Sequence, residues 1–65
     1  MKTNRELSAE YLDDAERVLR CIRALRMEQG PDLAGIRACR LRMLTEMYEE
    51  CRIVGHLLAR RGGRL

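Results

Sequence analysis

One helix-breaking segment divides this chain into two halves that are each helical in pattern. Gly30 is followed directly by Pro31, and no other pair of strong helix breakers lies between residues 5 and 60. Glycine allows the left-handed backbone that commonly ends a helix, and proline cannot continue the helix that precedes it. Asp32 then offers a carboxylate to the free amides that open the next helix. The segment predicts a helical hairpin, because a short connection makes the two helices antiparallel neighbours.

The boundaries of the hairpin follow from its capping residues and breakers. Thr3 and Glu6 form a capping box, which starts the first helix. The predicted elements are a first helix over about 4–29, a turn over 30–32, a second helix over about 33–61 and a loose tail over 62–65. A single helix kinked at Pro31 is the alternative, but a glycine, a proline and a capping residue together rarely lie inside a helix.

Size and composition favour an all-α fold that needs a partner. A chain of 65 residues is one domain at most, and a chain this short buries little of its surface alone. Without Trp or Phe, the core must be aliphatic, which suits helices better than a sheet. The predicted inner stripe of the second helix is Leu33, Ile36, Leu44, Met47, Cys51, Val54 and Leu58.

The apolar stripe of the first helix is wider than a single partner helix covers. We therefore predict an antiparallel helical hairpin that dimerises into a four-helix bundle. The residues expected in the core or the dimer seam are Leu12, Val18, Leu19, Ile22, Leu44, Met47, Tyr48 and Cys51.

Charge is distributed unevenly along the chain, and this distribution suggests how two copies would be arranged. Residues 1–16 carry five acidic and two basic residues, whereas residues 17–42 carry seven arginines and two acidic residues. Two of those arginines fall on the inner stripe of the second helix, where an unpaired charge is costly. A dimer with its turns at opposite ends would pair them with acidic residues of the other chain. The candidate inter-subunit ion pairs involve Arg37 and Arg40 on one side and Asp13 and Asp14 on the other. Alternatively, both arginines reach water near the turn.

The chain offers little for catalysis or metal binding. Its three cysteines are an odd number without the Cys-x-x-Cys spacing of a zinc or redox site, and His56 is its one histidine. We expect no enzyme activity, no catalytic residues, no metal and no cofactor. A polar N-terminus and the lack of a long apolar stretch predict neither a signal peptide nor a membrane span, so we expect a cytoplasmic protein.

Arginine supplies nearly all the positive charge, and nucleic-acid binding is therefore a second interpretation. The candidate contacts are Arg20, Arg23, Arg42, Arg60 and Arg61. Arginine suits phosphate contacts, but no aromatic residue is interleaved with these arginines to stack on bases. A solvated charged face is the simpler explanation of the same pattern.

In chain length, one tight central turn and two long helices, the architecture is similar to that of the Rop family. Those small plasmid-encoded RNA-binding proteins form antiparallel dimeric four-helix bundles. The resemblance lies in shape and not in a motif, so it carries over no RNA-binding residues.

The sequence favours a small, non-enzymatic regulatory or adaptor protein of bacterial or phage type. It would act through protein contacts as a homodimeric helical bundle, with an unidentified protein as its further partner. The alternative is a Rop-like dimeric hairpin that binds structured RNA or DNA through its Arg-bearing helix faces.

Overall fold

The computed structural model describes residues 1–62, and all of the regular structure in that range is helical. Helix α1 spans Asn4–Arg26, a 3-10 turn spans Leu33–Gly35, and helix α2 spans Ile36–Gly62. The two α-helices pack against each other along their length, which confirms the predicted helical hairpin. Of the predicted loose tail, Gly62 still belongs to α2, and residues 63–65 lie outside the described range.

The start of α1 is where the capping pattern places it. The Thr3 hydroxyl accepts a hydrogen bond from the Glu6 amide at 3.2 Å, which satisfies one of the free donors of the first turn. One turn further along, the Lys2 ammonium pairs with the Glu10 carboxylate. The N-terminal residues are thus tied to the first turns of α1 by their side chains.

The connection between the helices is longer than the sequence suggests. The Met27 amide donates to the Ala24 carbonyl at 3.2 Å, and the Glu28 amide donates to the Leu25 carbonyl at 3.3 Å. Bonds of this shorter span tighten the last turn and end the helix at Arg26. The predicted end at residue 29 therefore lies three residues too far along the chain.

The start of α2 also differs, because the chain turns once more after Pro31. Ala34 and Gly35 take positive φ angles of 56° and 68°, which interrupts the predicted helix and delays its start to Ile36. An alanine with positive φ is uncommon, and nothing in its sequence context announces it. Asp32 still caps α2, since its two carboxylate oxygens accept from the amides of Arg37 at 2.7 Å and Ala38 at 2.9 Å.

The helices approach each other closely where Ser8 of α1 meets Gly55 of α2. Ser8 and Gly55 are both buried, and the Ser8 hydroxyl donates to the Gly55 carbonyl at 2.7 Å. A Cβ atom at residue 55 would lie 2.8 Å from Cδ2 and 2.9 Å from Cγ of Leu12. A side chain at residue 55 would therefore force Leu12 to move, so the preference for glycine comes from the neighbouring helix and not from the backbone angles of Gly55.

This close contact sets the rotation of α2 and corrects the predicted inner stripe. The half-buried side chains of α2 that face α1 are Leu41, Leu44, Tyr48, Cys51, Val54 and Leu58. Three residues expected on the inner stripe are instead exposed: Leu33 at 75%, Ile36 at 56% and Met47 at 49%. The prediction was wrong for these three residues, because α2 carries two apolar stripes and the predicted inner stripe combined residues of both.

The hairpin is a single layer of two helices with very little interior. Its Cα atoms extend over 52 × 17 × 14 Å, and their radius of gyration is 15.1 Å, against about 11 Å for a compact domain of this length. Among residues 1–62, Ala15 and Ile22 are the buried hydrophobic residues. Most of the apolar side chains are thus only partly covered.

The Gly55–Leu12 contact predicts a specific pattern of stability changes. Gly55→Ala should destabilise the hairpin by about 1 kcal/mol, because overpacking costs about 1–3 kcal/mol and the gain in helix propensity is at most about 1 kcal/mol. In a Leu12→Ala background, the same change should be neutral or stabilising, since the clashing side chain is gone. Thermal unfolding of the four chains followed by circular dichroism measures this coupling. An equal cost of Gly55→Ala in both backgrounds would contradict the proposed clash.

Candidate functional site

A row of largely exposed apolar side chains follows one side of α2. We call it the outer stripe; it consists of Ile36, Met43, Met47, Val54 and Leu57. Ile36 and Met43 are 56% and 58% exposed, Met47 and Leu57 are 49% and 48% exposed, and Val54 is half-buried at the edge of the helix contact. The spacing of seven, four, seven and three residues keeps these side chains on one face of a helix.

Helix α1 adds apolar surface to the same side of the hairpin. A shallow groove at the turn end is lined by Leu25 of α1 together with Leu33, Ile36 and Arg40. Leu25 therefore lies next to the beginning of the outer stripe. One or two heptads before it on α1, Val18 is half-buried and Tyr11 is 38% exposed. The two helices thus share one partly apolar face.

Most of the predicted core and seam residues lie in the contact between the helices, and one lies outside it. Ile22 is 4% exposed and belongs to the contact between the helices. Most of the others are half-buried: Leu12, Val18, Leu19, Leu44, Tyr48 and Cys51. Met47 alone among them lies outside that contact and on the outer stripe. Tyr48 also makes a cation–π contact within α2, because the Arg52 guanidinium lies 5.5 Å from the centre of its ring.

The residues predicted to pair between subunits have different surroundings. The Arg37 side chain is 24% exposed; its Nε lies 3.5 Å from Oε2 of Glu28, and one of its terminal nitrogens donates to the Gly30 carbonyl at 3.1 Å. Arg37 thus has partners in its own chain. Asp14 lies 3.8 Å from Arg17 on the next turn, and both are exposed. Arg40 and Asp13 are exposed, and their pairing with another chain stays a prediction.

The arginines proposed to contact nucleic acid all lie at the surface. Within residues 1–62, none of the five has a carboxylate within ion-pair distance: Arg20, Arg23, Arg42, Arg60 and Arg61. By helical period, Arg20 and Arg42 point away from the outer stripe. They lie on two different helices, so they do not form a single strip.

The described part of the chain gives little sign of a catalytic centre. His56 is exposed and lines a shallow groove with charged residues of α2 such as Glu49 and Arg60. No cluster of three metal-ligating side chains lies among residues 1–62. Neither α1 nor α2 combines the length and the apolar character that a membrane crossing requires. Cys21 and Cys39 are exposed, Cys51 is half-buried, and all three are free thiols.

In comparisons with known proteins, no family model, no curated protein and no solved structure matches this chain. The comparisons therefore give no support to the resemblance to the Rop family, and the site must be interpreted from its own residues.

Sequence reasoning missed two features of this site. The first is the separate outer stripe, which could have been found by counting positions 36, 43, 47 and 54 as a heptad pattern of their own. The second is the hydrogen bond from the Ser8 hydroxyl to the Gly55 carbonyl. Hydropathy patterns locate large apolar residues, so they do not predict a contact between a serine and a glycine.

The capping carboxylate of Asp32 generates a pH prediction for the turn end of this site. Hydrogen bonds from the amides of Arg37 and Ala38, together with the Arg37 charge, hold the pKa of Asp32 below its ordinary value of 3.8. A lowered carboxylate pKa contributes stability that is present above 3.8 and lost as the pH falls through the lowered value. Asp32→Asn should therefore lower the thermal midpoint at neutral pH, and its difference from the wild type should shrink in acid.

Thermal unfolding followed by circular dichroism between neutral pH and strong acid measures this dependence. The control is Glu16→Gln, which removes an exposed carboxylate that has no hydrogen bond or ion pair within residues 1–62. A constant difference between the wild type and Asp32→Asn across the whole pH range would contradict the capping role.

Proposed function

We propose that this protein is a small, non-enzymatic regulatory or adaptor protein that acts through protein contacts, as a homodimeric helical bundle. The observation that carries the proposal is the outer stripe, an apolar row along α2 that the chain leaves largely exposed. Apolar residues scattered singly are ordinary on a surface, whereas a row at heptad spacing is the pattern by which helices pack against other helices.

The total accessible surface of the chain also supports the proposal. The chain exposes 5589 Å² of accessible surface. A compact folded protein of 7.6 kDa exposes roughly 4,300 Å². The excess is larger than the roughly 800 Å² that each partner contributes to a standard protein interface. Burying the apolar part of this excess would stabilise the two helices, which contribute little core of their own.

Nucleic-acid binding is the second candidate, and the five exposed arginines without ion pairs favour it. Its distinguishing property is salt dependence, because each phosphate contact releases counterions when it forms. Retention on a nucleic-acid column that falls steeply with added salt would support this candidate. Retention that is weak at low salt, or insensitive to salt, would favour protein contacts alone.

The outer stripe predicts where a single charge disrupts association. Met47→Glu should weaken self-association at least roughly tenfold, since it places a charge in a face that becomes buried. The matched control is Met27→Glu, which makes the same change at a methionine that is 79% exposed and lies outside the outer stripe. Sedimentation equilibrium gives the association constant, and circular dichroism checks that both variants remain helical. A wild-type chain that stays monomeric at micromolar concentration would contradict the proposal.

A further inference from the structure

Two charged residues lie between the apolar residues of the outer stripe and on the same face of α2. Between Ile36 and Leu57, the face advances in alternating steps of four and three residues, and all but two of its positions are apolar. The two exceptions are Arg40 and Glu50, which are both exposed and have no ion-pair partner within residues 1–62. Charges of opposite sign in an otherwise apolar seam commonly fix the register and orientation of paired helices.

We propose that the outer stripe binds the outer stripe of a second copy of this chain, with the two α2 helices antiparallel and centred on Thr45. This inference rests on the proposed self-association and specifies its interface. The seam is symmetrical about Thr45, so a twofold axis at that level pairs Met43 with the partner's Met47. The same axis places Arg40 against the partner's Glu50 and, by symmetry, Glu50 against the partner's Arg40. Both charges of the seam are thereby neutralised in one arrangement.

The remaining positions of the seam agree with this register. Ile36 meets the partner's Val54, which pairs two β-branched side chains. Leu33, which is 75% exposed on the 3-10 turn, lies nearest the partner's Leu57. The register therefore covers the most exposed apolar residues at the beginning of α2, which the hairpin itself leaves in water.

Other arrangements of the two stripes are disfavoured by the same two charges. A parallel pair in register sets Arg40 against the partner's Arg40 and Glu50 against the partner's Glu50, which is repulsive. An antiparallel pair shifted by one heptad in either direction places Arg40 against an apolar residue, either Met43 or Leu57 of the partner. That arrangement leaves charges desolvated and unpaired. Charge thus selects one register from those that the apolar residues alone permit.

Helix α1 is compatible with the same axis. Because Ser8 touches Gly55, Val18 of α1 lies near the level of Thr45 of α2, and so near the proposed axis. Tyr11 and Leu25, which flank the half-buried Val18, are each seven residues from it. One axis therefore also brings Tyr11 to the partner's Leu25, and the turns of the two hairpins lie at opposite ends.

One residue opposes this register and makes it easier to test. Glu46 borders the outer stripe one position after Thr45, so the axis brings it close to the partner's Glu46. Like charges in that position repel each other. Removing the charge with Glu46→Gln should tighten the dimer, whereas an exposed glutamate outside the interface would leave the association constant unchanged.

The charge pair gives a direct experiment on the full 65-residue chain. Arg40→Glu alone and Glu50→Arg alone each place like charges at both pairing points, so each should weaken self-association roughly ten- to a hundredfold. The double variant Arg40→Glu with Glu50→Arg restores opposite charges and should associate like the wild type. An equimolar mixture of the two single variants should form heterodimers in preference to either homodimer, because all four charges are then paired.

Sedimentation equilibrium with one labelled chain measures these four samples, and circular dichroism confirms that each variant is helical. A second measurement fixes the register. In a chain whose three native cysteines are replaced by alanine, a mixture of Met43→Cys and Met47→Cys should oxidise to a disulfide that joins the two different chains. A predominance of disulfides between identical chains would overturn the register.

The outcomes separate this inference from the proposed function. A wild type that does not associate overturns both. A wild type that associates, while both single variants bind as tightly as it does and the mixture shows no preference, overturns the register and leaves protein association in place.

Discussion

The close contact between Ser8 and Gly55 determines which side of α2 faces inward. A helix that meets its neighbour through a buried glycine can approach only in the narrow range of rotations that keep that residue between the two backbones. The carbonyl of Gly55 also accepts the Ser8 hydroxyl at 2.7 Å, which fixes the position along the axis. With that rotation set, Met43 and Met47 lie on the outside. The contact inside the hairpin therefore creates the apolar surface on its exterior.

The exterior surface matters because the interior is small. In a single layer, each helix can cover only one apolar stripe of the other helix. The small residues where Ser8 meets Gly55 contribute little hydrophobic area to that contact. Most of the stability of helices in proteins comes from tertiary packing of an amphipathic face. A second layer would convert the exposed apolar area into a core, so the association proposed for the hairpin would serve its stability as well as its function. Stability that depends on concentration is the expected consequence.

The sequence predicted the parts of this fold that are set by local chemistry. Thr3 caps α1 and Asp32 caps α2 as their side chains suggest, and the Gly30–Pro31 pair separates the helices. What could not be predicted depends on tertiary contact. The rotation of α2 follows from the close approach of Gly55 to Leu12, which no periodicity records, and the delayed start of α2 follows from a positive φ at Ala34. The candidate interface was predicted as one seam, although α2 carries two.

The two candidate functions need not exclude each other, because Arg20 and Arg42 point away from the outer stripe. A dimer built on the outer stripe turns both polar faces outward, and Arg20 of each chain remains in solvent on opposite sides of the bundle. Arginine pairs related by a twofold axis present the same charges to two sites at once, which suits a symmetrical partner such as a duplex or another dimer. The apolar seam would then supply the assembly, and the exposed arginines would supply its long-range attraction to acidic surfaces.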